Sequence, residues 1–253
     1  MKIALIQTNL IWENPSENKA LVQDKVNAIS QYIDLIILPE MFTSGFTMNA
    51  KNVAETMQGE TVQWLKNMAK ARNCAITGSF VITENKNFYN RLIFVFPNGE
   101  MQYYDKKHLF SLAGEDKIYT SGTKKVIINY KGFKICPLIC YDLRFPVFSR
   151  NVEEYDVLLY VANWPKPRIN AWDILLKARA VENMSYVIGV NRVGIDGNNH
   201  QYVGHSTAID FLGNQLIETS ENEDVFIVKL NKNQLLETRE KLGFLNDRDK
   251  FIL

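Results

Sequence analysis

The 253-residue chain has little of what staples or anchors a protein. Its three cysteines are odd in number, and no Cys-x-x-Cys pair occurs among them. That argues against a disulfide framework or a zinc knuckle and for a reducing cytoplasm. Nothing stands at metal-ligand spacing, so no metal is expected. Charge of one sign is also lacking: the formal net charge is +1, with bases scattered among acids. Neither nucleic acid nor an anionic membrane is therefore expected as the main partner. No apolar run approaches a membrane span. The opening Met1–Ile6 stays apolar too briefly for a signal-peptide core before Gln7, Thr8 and Asn9. Pro/Gly/Ser-rich tracts and long charge blocks are absent, so residues 1–253 read as one soluble, intracellular domain. Gly-x-Ser-x-Gly and phosphate-cradling glycine motifs are missing too, which removes the usual serine-hydrolase and nucleotide-binding signatures.

What the chain does have is enough apolar residues to bury a full core, 46% of the total. Short buried runs alternate with amphipathic stretches. Lys2–Gln7 reads as a strand and Ser16 to Ile33 as a helix preceded by Pro15. Leu35–Leu38 follows as a second strand, completing a β-α-β unit that ends at Pro39-Glu40. Glu60 to Arg72 repeats the helical pattern, and Ala75–Val81 is the next strand. Hairpins then interrupt the alternation. Leu92–Phe96 and Met101–Tyr104 flank Asn98-Gly99; Val126–Asn129 and Phe133–Ile139 flank Lys131-Gly132; Ser206–Asp210 and Gln215–Glu218 flank Gly213-Asn214. Val157–Val161 and Tyr186–Asn191 read as strands on either side of a helix over Asn170 to Met184. Mixed sheets follow, and two of them between helix layers bury every strand. The expected fold is α/β, a four-layer α-β-β-α sandwich.

Three residues share one context. Glu40 follows a buried strand, Lys107 follows the hairpin strand ending at Tyr104-Asp105-Lys106, and Cys140 ends the run Lys134–Ile139. Residues just past strand ends converge on one rim of a layered α/β fold, where ligand clefts form. A thiol, a carboxylate and an ammonium meeting there suffice for acyl transfer as nucleophile, general base and oxyanion stabiliser. A helix beginning at Cys140 would favour its thiolate through free N–H groups. Each residue also has a plain alternative. Most free cysteines are small buried hydrophobes, Glu40 fits a helix cap or a turn, and Lys107 beside Lys106 fits a surface charge. His108 is taken to pack or hydrogen-bond locally rather than to form a dyad with Cys140.

The blocks Leu38-Pro39-Glu40-Met41-Phe42, Tyr104-Asp105-Lys106-Lys107-His108-Leu109-Phe110 and Ile139-Cys140-Tyr141-Asp142-Leu143-Arg144-Phe145-Pro146 resemble the signature blocks of the nitrilase superfamily of carbon–nitrogen hydrolases. The runs Ala162-Asn163-Trp164-Pro165 and Ala178–Asn183 match as well, and the likeness spans nearly the whole chain. It implies a Glu40–Lys107–Cys140 catalytic set, with Glu115 as a second glutamate holding the lysine. The backbone N–H of Tyr141 would share the oxyanion, and no cofactor would be needed. Nitrilases commonly have Trp-Glu after the cysteine, where this chain has Tyr141-Asp142, which shifts the expectation from nitriles to amides. The Cys140 block and Asn163-Trp164-Pro165-Lys166-Pro167-Arg168 look most like the ω-amidase branch, which hydrolyses 2-oxo dicarboxylate monoamides such as 2-oxoglutaramate. Such a substrate needs a cationic clamp, for which Arg168 is the candidate, with Trp164 and Phe42 as pocket walls. Arg144 is expected instead in a structural ion pair. The alternatives are an amidase for other small amides, an N-carbamoyl amino acid hydrolase, or a silent module binding a small carboxylate. The resemblance also implies a homodimer formed beside the nucleophile's strand and the helix after it, with Phe251-Ile252-Leu253 reaching across.

Overall fold

The computed structural model describes residues 1–249. Its first half runs β1 (Lys2–Gln7), α1 (Pro15–Asn27), β2 (Leu35–Ile37), a single turn α2 (Ala50–Val53), α3 (Glu60–Arg72), β3 (Ala75–Glu84), β4 (Asn87–Val95) and β5 (Met101–Asp105). After a single turn α4 (Glu115–Ile118) come β6 (Ile128–Tyr130), β7 (Phe133–Ile139), a short turn α5 (Pro146–Ser149), β8 (Val157–Ala162), α6 (Ile169–Asn183) and β9 (Tyr186–Asn191). The chain closes with β10 (Val193–Ile195), β11 (Gln201–Val203), β12 (Thr207–Ile209), β13 (Asp224–Lys229) and α7 (Lys232–Leu242).

Two mixed sheets result, ordered β13-β1-β2-β3-β4-β5 and β12-β9-β8-β7-β6, with β10 and β11 as a separate ribbon. Strand parity builds the layers, because successive side chains leave a strand on opposite faces. Ile3, Leu5, Leu35 and Ile37 join one core with Leu138, Leu159 and Val161 of the second sheet. Ala4, Ile6, Ile36 and Leu38 turn the other way onto Val22 and Val26 of α1 and Val62 and Leu65 of α3. On the far side, Trp172, Leu176 and Ala180 of α6 cover the second sheet. A Cβ on Gly189 would sit 2.6 Å from Leu176 and 2.7 Å from Trp172, so glycine is what lets α6 approach that closely. The arrangement is the α-β-β-α sandwich expected from the sequence.

Several element boundaries depart from expectation: β3 runs on to Glu84, β4 starts at Asn87 instead of Leu92, and β6 is Ile128–Tyr130 instead of Val126–Asn129. Helix α1 stops at Asn27 instead of Ile33, yet Ile29 and Ile33 stay buried in the connection. Asp34 there accepts the Lys2 N–H at 2.7 Å, tying the entry of β2 to the start of β1. The hairpin after Gly213-Asn214 shrinks to one bridge, Ile209 to Gln215. Residues 251–253, expected to reach across an interface, lie outside the described residues.

Candidate active site

Four strand ends meet between the sheets: Glu40 just past β2, Lys106 after β5, Cys140 after β7 and Asn163 after β8. Two turns that aim them are held in left-handed backbone, φ +45° at Cys140 and φ +43° at Met41, beside Glu40. Such angles are costly for residues with a Cβ and persist where the surroundings enforce them. At Cys140 the strand breaks into a short helical turn, Cys140–Arg144, which lifts the thiol out of the sheet. Beyond Glu40, the Met41 N–H is held by Ser79 Oγ at 2.9 Å.

Glu40, Lys106 and Glu115 form a buried ionic cluster. Lys106 Nζ stands 3.0 Å from Glu40 Oε1 and 2.9 Å from Glu115 Oε2, all three side chains being at most 1% exposed. Glu40 also accepts from Asn90 Nδ2 and from the Asn163 N–H, both at 2.8 Å. Glu115 accepts the Phe110 N–H at 2.6 Å, which pins the loop it stands on. Burial works against the Lys106 charge, but Glu115 and Glu40 outweigh it and hold the ammonium above the ordinary lysine value. Burial and the neighbouring Glu40 push Glu115 up, against the pull of Lys106. Cys140 is raised well above a free thiol, first by burial and then by the charge of Glu40. Burial and the Glu40 charge thus favour the thiol at Cys140, against the thiolate that a helix start there would favour. A five-residue turn offers too few free N–H groups to offset a desolvated site facing a carboxylate.

The structure corrects the lysine. Lys106, not Lys107, occupies the cluster. The backbone continues the alternation of β5, so Tyr104 and Lys106 point inward while Asp105 turns out to Arg91, at 2.6 Å. Lys107 lends the surroundings its backbone: its N–H donates to Tyr104 Oη and its carbonyl accepts from Ser121 Oγ. Glu115, expected to hold Lys107, meets Lys106 instead, and Cys140 lines the cleft beside them. Sequence reasoning missed Asn90 and Asn163, which hold Glu40 from 50 and 123 positions away.

A cleft of about 610 Å³ opens over the cluster, lined among others by Cys140, Lys106, Asn163, Trp164, Arg144 and Arg168. Phe42, expected in its wall, is instead buried under the floor against Trp64 and Phe80. Phe46 takes the wall position, its ring centroid 5.1 Å from Lys106 Nζ. Arg144, expected in an ion pair, has none among the described residues; its guanidinium lies 5.1 Å above the Trp164 ring. Arg168 lies likewise 5.1 Å over Phe110 and is also unpaired among the described residues. The cleft's acids are already engaged. Glu13 accepts from Thr47 and Asn49, and Asp196 from Tyr202, Asn198 and His200. Two unengaged guanidinium groups thus leave the cleft suited to an anionic group. His108 behaves as expected, bonding to Asp142 at 2.7 Å and stacking on Phe145.

Comparison with known proteins identifies the family. Residues 2–240 match the carbon-nitrogen hydrolase family model. The chain is 42% identical to omega-amidase YafV of Escherichia coli K12, covering all of this chain and 98% of that protein. It is 31% identical to the 2-oxoglutaramate amidase of Bacillus subtilis, over 97% of this chain and 96% of the relative. XC1258 of Xanthomonas campestris, a CN-hydrolase superfamily protein solved with an arsenic adduct in its active site, superimposes with a TM-score of 0.98. Its sequence is 42% identical, covering 100% of this chain and 98% of that one. On the match over nearly its full length, the chain belongs to the carbon–nitrogen hydrolase family.

Proposed function

We propose that this protein is an ω-amidase, a hydrolase of the terminal amide of small 2-oxo dicarboxylate monoamides, working through a cysteine thioester. The observation that carries the reading is the buried Glu40–Lys106–Glu115 cluster beside the Cys140 thiol, under a cleft with two unengaged arginines. The full-length relatives named omega-amidase and 2-oxoglutaramate amidase support the substrate class.

The chemistry follows from where the protons sit. Two carboxylates and one ammonium already leave the cluster with a net negative charge, so a free thiolate would add a second. Transfer of the thiol proton to Glu40 as sulfur attacks the amide carbon leaves that total unchanged. Lys106 and the backbone N–H of Tyr141 receive the negative charge that develops on the amide oxygen. Protonated Glu40 passes its proton to the nitrogen, the C–N bond breaks, and ammonia leaves a thioester. A water that gives its proton to Glu40 then attacks the thioester carbon; the acid departs and the proton returns to sulfur. Glu115, fixed by Phe110 and Lys106, keeps the ammonium aimed at the reacting carbonyl. No step needs a metal or an organic cofactor. All three cysteines are free, which supports a reducing, cytoplasmic setting.

The test is ammonia release from 2-oxoglutaramate, beside glutamine, asparagine, an N-carbamoyl amino acid and a simple nitrile. Fast release from the oxo-amide alone is expected, and none from Cys140→Ala. Arg168→Met and Arg144→Met should each raise KM about 10- to 100-fold by removing a charge-assisted contact to the substrate carboxylate. Release from none of the five compounds would overturn the substrate assignment. Unchanged KM in both arginine variants would remove the clamp.

A homodimer is also proposed, through the face beside α5 and α6. Val147, Ile174, Val181 and Leu212 expose half or more of their surface there, which supports an apolar contact. Sedimentation should show a dimer that Val147→Glu with Ile174→Glu converts to a monomer. A wild-type monomer at micromolar concentration would end this reading.

A further inference from the structure

We propose that Asp142, two residues past the nucleophile, is the positioning residue that fixes the backbone of Cys140 against the backbone of Lys106. The inference rests on the reading of Cys140 as nucleophile and Lys106 as its oxyanion partner, and it adds the device that sets their separation. Asp142 is fully buried and does not line the cleft. Its two oxygens nevertheless take four hydrogen bonds from two separate chain segments. Oδ2 accepts the Ile139 N–H at 2.9 Å, inside the turn that throws Cys140 into left-handed backbone. The same oxygen accepts the Tyr104 hydroxyl at 2.7 Å. Oδ1 accepts the His108 N–H at 2.9 Å and meets His108 Nδ1 at 2.7 Å.

Every donor except Ile139 belongs to the segment that carries Lys106. Tyr104 precedes the lysine by two positions and His108 follows it by two, so Asp142 grips the strand end on both sides. Tyr104 extends the grip, since its oxygen also accepts the Lys107 N–H at 3.1 Å. Burial and then Asp142 hold the Tyr104 phenol protonated, which keeps it a donor. The His108 ring completes the joint, lying 3.6 Å from the Phe145 ring at an interplanar angle of 5°, with Phe148 edge-on at 5.2 Å. Both aromatics follow the nucleophile's turn. One buried carboxylate therefore joins the nucleophile's turn to the lysine's loop. The ionic cluster cannot do this alone, because it holds only the far end of a long, flexible lysine side chain. Catalysis by orientation is sensitive to displacements of about 1 Å, so loosening this joint should slow the chemical step without weakening substrate binding.

The test uses Asp142→Asn, Tyr104→Phe and the two combined, in the full-length protein. The asparagine amide presents hydrogens where two of the four donors point, and Phe removes a single hydroxyl. Tyr104→Phe should lower kcat about 10-fold and Asp142→Asn about 100-fold, with KM within about two-fold of wild type. The combined variant should be no slower than Asp142→Asn alone, because both changes open the same joint. Alkylation of Cys140 by iodoacetamide, followed by peptide mass, gives a readout that needs no knowledge of the substrate, and it should slow in the same order. Thermal melting separates positioning from stability: loss of kcat in a Tyr104→Phe protein that melts as wild type does is the expected pattern. Should Asp142→Asn fail to fold, Tyr104→Phe decides alone. Wild-type kcat in Tyr104→Phe, a loss confined to KM, or additive losses in the combined variant would overturn the proposal. Unchanged alkylation in the variants would do the same. If Cys140→Ala keeps wild-type turnover, the failure lies with the nucleophile reading instead.

Discussion

Lys106→Met is expected to lower kcat by about 1,000-fold or more, while Lys107→Met stays within about two-fold of wild type. The two lysines are adjacent, carry the same charge and fall within the same sequence block, so nothing but geometry separates them. Lys106 contributes the ammonium that bridges Glu40 and Glu115 and that, in the proposed mechanism, faces the developing oxyanion. Its removal does damage twice. The oxyanion loses a charged donor, and the two buried carboxylates are left without a cation between them. One of them then takes up a proton to relieve the repulsion, which disables Glu40 as base whenever Glu40 is the one protonated. Lys107 offers its backbone to Tyr104 and Ser121, and truncating its side chain leaves both contacts in place. Steady-state kinetics and Cys140 alkylation on the two single variants settle the matter. An active Lys106→Met beside an inactive Lys107→Met would restore the role to Lys107. Lys106→Arg is a useful third variant, because it keeps the charge but forces a planar fork into a space shaped for an ammonium.

That adjacency shows where the sequence stops informing the reader. Glu40 and Cys140 stand in blocks that fix their place along the chain and Glu115 in the loop after the second block; the structure puts Glu40 and Glu115 on one lysine and Cys140 in the cleft above it. A block cannot say which of two neighbouring lysines faces inward, but strand parity can. Tyr104 is buried and Asp105 is not, so the next inward position after Tyr104 is Lys106. Phe42 and Phe46 differ for a related reason. The left-handed turn at Met41 sends Phe42 back under the site to Phe80, and the chain reaches the cleft only at Phe46. Asn90, Asn163 and Asp142 were beyond reach, since each acts on a partner 38 or more positions away and carries no local signature of that contact. The same holds for β13, whose pairing with β1 joins Asp224–Lys229 to the opposite end of the chain. Local periodicity, in contrast, gave the bounds of α3 as found, because its apolar stripe of Val62, Leu65 and Met68 is contained in the segment.

Glu40→Gln is expected to lower kcat by about 100- to 10,000-fold and to change the shape of the pH profile. In the wild type the thiol is held up first by burial and second by the Glu40 charge, so at neutral pH almost no thiolate exists unaided. In the proposed mechanism Glu40 removes the need for it by taking the proton during attack. Glutamine fills the same volume and can still accept one hydrogen bond from Asn90 or Asn163, but it cannot accept that proton or return it to the leaving nitrogen. Removing its charge withdraws one of the two main causes that raise the thiol, while burial remains. The thiol should therefore stay above its ordinary value, though below its wild-type one. The sign of the pH dependence follows. Residual turnover in Glu40→Gln should climb through the alkaline range, about tenfold per pH unit below the thiol's own titration, since only spontaneously formed thiolate can attack. The wild type, whose base is built in, should show no such climb. A rate in Glu40→Gln that is flat across that range would mean that another group takes the proton. Glu115, 2.9 Å from Lys106 and already raised by burial, would be the group to replace next.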